Sequence, residues 1–70
     1  MRFYFDLIDD GFPLLDLDGV DLPEETAAVA EARLRARHHS EAKKRKGAVS
    51  AGRIRVRDAV SRVVADVPID

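Results

Sequence analysis

Seventy residues with no Cys, no Trp, three Phe, one Tyr and one Met leave room for one domain, residues 1–70, around a small core. The missing cysteine excludes a disulfide staple and a thiolate zinc site. Charged residues are 36% of the chain, yet the formal net charge is only −1, which excludes a uniformly basic nucleic-acid binder and a uniformly acidic tail.

The elements follow in chain order. Phe3, Phe5 and Leu7 alternate with Arg2, Tyr4 and Asp6, the period of two of a half-buried strand over residues 2–8. Asp9-Asp10-Gly11 is a turn signal. A second strand is expected over residues 12–17, at a sheet edge because Pro13 cannot donate to a ladder. Asp18-Gly19 marks the next turn.

Asp21 with Glu24 three residues later fits a capping box, and Pro23, Glu24 and Glu25 suit a first helical turn. Residues 26–46 hold no Gly or Pro and many helix formers, and Gly47 can end the helix in a left-handed conformation. The apolar side is expected along Ala27, Ala30, Leu34 and His38. Beyond His38 the sequence offers little to bury, so the second half of the helix should project unless a partner covers it.

Residues 48–52 read as a connector. Residues 53–57, RIRVR, alternate strictly and form a strand with one wet face, residues 58–61 a turn, and residues 62–69 the last strand, with Val63, Ala65, Val67 and Ile69 on its inner side. Two hairpins joined by one helix give an α+β fold, ββαββ, a four-stranded sheet with one long helix on one face. Placing the Pro-bearing and arginine-rich strands at the edges gives a β-grasp-like order 2-1-4-3, with the first and last strands central and the second and third parallel across a right-handed crossover.

Several segments together resemble a known family. These are RFYFDLIDDG, the turn Asp16-x-Asp18-Gly19-Val20-Asp21-Leu22, Ala27, Ala28 and Ala30 early in the helix, and the closing IRVRD…RVVADVPI. The chain is similar over nearly its whole length to short bacterial ββαββ proteins classed as domain of unknown function 6894. Where that family's closing turn carries Gly this chain has Ser61, and its late helix is more basic. The resemblance implies a fold and carries no catalytic residues.

No constellation for chemistry stands out. His38 and His39 lie ~100° apart around a helix and cannot chelate one ion together, and His38 with Glu41 falls short of the three or four ligands zinc needs. Counted from Asp16, the place of a calcium loop's bidentate Glu is Ala27. No nucleophile or oxyanion donor set accompanies Asp6, Asp9 and Asp10. The expectation is therefore no enzyme, no metal and no cofactor.

Charge is unevenly spread: eight acids and one base in residues 1–25, ten bases and two acids in 26–57, three acids and one base in 58–70. This is expected to be complementarity between segments that meet in the fold. The residues expected to contact a partner are Arg33, Arg37, His38, Lys44, Arg53, Arg55 and Arg57. The expected role is a small non-enzymatic protein-interaction or regulatory domain that self-associates as a homodimer or with a protein partner. The alternative is a nucleic-acid accessory protein using the basic helix, disfavoured by a pI near 6.1, well under the ~9 of a basic binder. Acids in the first ten residues interrupt any signal-peptide pattern, and no run approaches the ~20 apolar residues of a membrane span, so a cytoplasmic location is expected.

Overall fold

The computed structural model describes residues 1–9, 12–45, 47 and 52–69. It is an α+β fold of one helix and a five-stranded antiparallel sheet: β1 Arg2–Asp9, β2 Phe12–Leu14, β3 Val20–Asp21, α1 Glu25–Arg45, β4 Arg53–Arg57 and β5 Val63–Pro68. The sheet order is β2-β1-β4-β5, with β3 also paired to β1.

The order 2-1-4-3 is corrected by this arrangement. The arginine strand β4 is central, antiparallel to β1 from Tyr4↔Arg57 to Ile8↔Arg53, and the C-terminal strand β5 takes the edge. Alternate arginines are tolerated inside the sheet because each finds a carboxylate across the strands: Asp6 on β1 and Asp66 on β5. Pro68 then sits on an edge strand, where the ladder does not need its missing N–H.

The expected second strand is shorter than residues 12–17. β2 pairs Leu14 with Leu7, and β3 pairs Val20 with Phe3. Between these pairs Tyr4, Phe5 and Asp6 face the longer stretch Leu15–Gly19, which bulges away from the ladder. Asp21 lies in β3 and pairs with Arg2, so it does not cap the helix.

α1 packs on β4 and β5. Its buried residues are Ala28, Ala32, Ala36 and Ser40, four apart, whereas Ala30, Leu34 and His38 are exposed. The expected apolar side is thus corrected by about half a turn, at ~100° per residue. Small residues at each contact, three alanines and Ser40, let the helix axis approach a sheet whose volume comes from Phe3, Phe5, Ile54 and Val56, all buried. At the flank the Arg35 guanidinium stacks 4.4 Å from the Phe5 ring centroid. Gly47 takes φ 74°, as a helix-ending glycine does.

On β5 the inner row is Ala65, Val67 and Ile69, as expected, but Val63 is exposed and Val64 packs on the core. A register shift opposite Val56/Arg57 adds one residue to β5 and turns its first two side chains over. The β4–β5 turn is closed by Asp58, whose carboxylate accepts the Val60 and Arg62 N–H groups at 3.0 and 2.9 Å. Ser61 sits at φ 65°, the left-handed position that follows the turn in a three-residue hairpin loop.

Candidate interaction surface

Side chains alternate across the sheet, so Ile54 and Val56 face the helix while Arg53, Arg55 and Arg57 face away from it. That outer face carries Tyr4, Asp6 and Ile8 from β1 and Asp66 and Pro68 from β5. Asp6 is 1% exposed although it points away from the helix. Arg57 donates Nε to Asp6 Oδ2 at 2.6 Å and Nη2 to Oδ1 at 2.9 Å, a bidentate, charge-assisted geometry. The guanidinium also lies 5.1 Å from the Tyr4 ring centroid and reaches the Asp16 carbonyl at 3.2 Å.

Asp16 completes this cluster. Its Oδ2 accepts the Phe5 N–H at 3.1 Å, and its Oδ1 accepts the N–H groups of Asp18 and Gly19, each at 3.1 Å. In return the Asp16 N–H donates to Asp6 Oδ1 at 3.0 Å. Two carboxylates thus replace the ladder bonds that the bulge removes, as an Asx turn does locally. Burial pushes the Asp6 carboxyl up, but the Arg57 hydrogen bond, the Asp16 N–H and the charges of Arg57 and Arg55 outweigh it and hold it below the ordinary range. Asp16 is likewise held low: burial raises it, and the three N–H donors and Arg35 overcome that. The Asp6 bond in turn raises Arg57.

The residues expected to meet a partner divide into two groups separated by the sheet. Arg33 and Arg37 are exposed on α1 and line an open groove of about 570 Å³ with Ala36, Ser40, Glu41, Val67 and Pro68. His38 is exposed beside a smaller hollow with Glu41, Ala42 and Arg45. The Lys44 side chain lies outside the described residues. On the opposite face Arg57 is committed to Asp6, while Arg53 and Arg55 lie 3.6 and 3.7 Å from one Asp66 oxygen. Adjacent histidines diverge: His39 turns inward to 3.8 Å from Asp9 Oδ2, while His38 faces solvent.

Sequence reasoning missed the loop. Leu15 and Leu17 are exposed, Leu17 to 85%, on the bulge that Asp16 pins, and Leu14 is exposed at the end of β2 beside it. The Asp-x-Asp-Gly pattern signals a turn, but the alternation of Leu15 and Leu17 with aspartates looks the same as a strand's. Among the described residues no group of three or more His, Cys, Asp or Glu could hold a metal ion, and no helix is long and apolar enough to cross a membrane.

A family model described as a domain of unknown function (DUF6894) matches residues 2–70. No curated protein and no solved structure matches the chain.

Proposed function

The chain belongs to this family of unknown function, and from that premise we propose that it is a small non-enzymatic protein-interaction module that works by self-association. One observation carries the reading. None of the six leucines is buried: Leu7 and Leu22 are half-buried, and Leu14, Leu15, Leu17 and Leu34 are exposed. The core is filled by Phe, Val, Ile and Ala instead. Leu14, Leu15 and Leu17 are exposed within four residues of one another and Leu34 on α1; exposed apolar side chains in a group mark a contact surface, and oligomerisation is one of the supplements a small domain without disulfides uses. Light scattering over a concentration series tests it: a dimer or larger species is expected, and a monomer at high micromolar concentration would refute it.

One observation favours the nucleic-acid alternative. Arg33 and Arg37 are exposed and have no ion-pair partner among the described residues. Phosphate contacts are strongest at low salt, so an oligonucleotide titration there decides it: no binding removes this reading.

A further inference from the structure

The outward side of α1 is laid out as half of a symmetric pair. Opposite the buried Ala28–Ala32–Ala36–Ser40 stripe run Ala27, Ala30, Leu34 and His38. Leu34 is the one large apolar residue there, 46% exposed, and it lies one residue from the middle of the helix, which spans Glu25–Arg45. Charge is distributed oppositely to either side of it. Glu24, Glu25 and Glu31 precede it, with Arg33 the only base between. Arg35, Arg37, Lys43, Lys44 and Arg45 follow it, with Glu41 the only acid. Glu24, Glu25, Arg37 and Arg45 are exposed and have no ion-pair partner among the described residues.

We propose, resting on the self-association reading above, that a second copy of this chain docks its α1 antiparallel along this stripe, with the two-fold axis at Leu34. In that register Leu34 meets the partner's Leu34, and Ala30 lies level with the partner's His38. The basic C-terminal turn lies level with the acidic entry of the partner helix, Arg45 opposite the partner's Pro23 and Glu24. Small residues at 27 and 30 allow axes ~8–10 Å apart. Antiparallel alignment also sets each helix's positive end beside the other's negative end. A parallel pair would stack like charges at both ends. An isologous contact of this kind closes on itself and gives a dimer rather than a filament.

The sheet edge β5 is the rival surface, and it is guarded. Ile69 donates its N–H to Gly52, so by alternation residues 66 and 68 direct their backbone groups outward. Pro68 has no N–H to give there. Two β5 strands paired about Asp66 would also oppose like charges.

Two measurements on the full chain decide the matter. Light scattering should find a dimer, and Leu34→Asp should raise its dissociation constant by roughly 30-fold or more, as loss of a central contact does, with an unchanged far-UV spectrum because Leu34 is outside the core. The chain has no cysteine, so Arg45→Cys can carry a single spin label. Two labels in the dimer should lie about 33 Å apart along the axis, twice eleven residues at 1.5 Å. A monomeric wild type overturns the self-association reading and this proposal with it. A dimer that survives Leu34→Asp, or whose labels at position 45 lie side by side, overturns the antiparallel helix pair and leaves self-association standing. Should Leu34→Asp unfold, the label distance alone decides.

Discussion

Replacing Asp6 with Asn tests the account of the sheet's outer face most directly. The substitution keeps an oxygen for the Asp16 N–H but sets an amide NH2 against Arg57 Nε, which now stands 2.6 Å from a carboxylate oxygen. Deleting one partner of a buried pair costs about 3–5 kcal/mol because the other charge is stranded. Arg57 retains 20% of its side-chain exposure, so water can reach it and the lower end, about 3 kcal/mol, applies. A seventy-residue domain has roughly 4–10 kcal/mol in total, so Asp6→Asn should lower Tm by about 12–24 °C at ~4–8 °C per kcal/mol. Thermal and urea unfolding followed by far-UV circular dichroism measures it. Arg57→Met should cost a similar amount, and the double variant should recover about 2 kcal/mol of the sum, since each single change strands the other's group. A loss under ~1 kcal/mol, the value of an exposed pair, or strict additivity would refute the reasoning.

Four further outcomes follow from the same geometry. Asp6 and Asp16 have folded pKa values below their unfolded ones, so their stabilisation is complete above the ordinary carboxylate pKa of about 3.9 and is lost as pH falls through the folded values; unfolding midpoints measured down the pH scale should drop there, less steeply in Asp6→Asn. Ala32→Leu, at a fully buried helix–sheet contact, should destabilise by about 1–3 kcal/mol through overpacking, seen as a lower urea midpoint. Gly52→Ala would set a Cβ 2.5 Å from the Ile8 carbonyl oxygen, so β1 or β4 must shift, and amide exchange in both strands should quicken. Ser61→Gly should raise stability by roughly 0.5–1 kcal/mol, because Ser61 holds the left-handed φ that glycine adopts without strain.

Much of the fold was legible in the sequence. The alternation of Phe3, Phe5 and Leu7 and of Ile54 and Val56 placed the right residues in the core or packed against it, and Glu25–Arg45 formed one helix, with Gly47 in the left-handed conformation shortly beyond it. The helix face was misread because periodicity weights size. Leu34 outranks alanine in any apolar count, yet the sheet supplies the bulk and asks only for small partners. The side-chain reversal at Val63 and Val64 depends on a bulge set by register with β4, which no local pattern in residues 62–69 reveals. Apart from His38 the interaction residues are named by charge, and charge does not say which arginine will find a carboxylate in the fold and which will remain open on α1.

The strand order shows where charge patterning leads and where it misleads. Alternate arginines on β4 argued for an edge under the rule that charged strands discourage pairing. That rule concerns charges with no partner. Here one outward row crosses three strands as Asp6, Arg55 and Asp66, acid, base, acid, with Arg57 closing diagonally on Asp6 and Arg53 leaning on Asp66. An arginine strand flanked by aspartates on both sides is more stable at the centre than at an edge, since cross-strand opposite charges contribute ~0.2–1 kcal/mol each and an edge place would forfeit half of them. The acidic N-terminal third, the basic middle and the acidic end of the sequence thus correspond in part to β1, β4 and β5 side by side. The charge that this sheet does not neutralise is what remains on the helix, and the self-association proposed for α1 rests on that remainder.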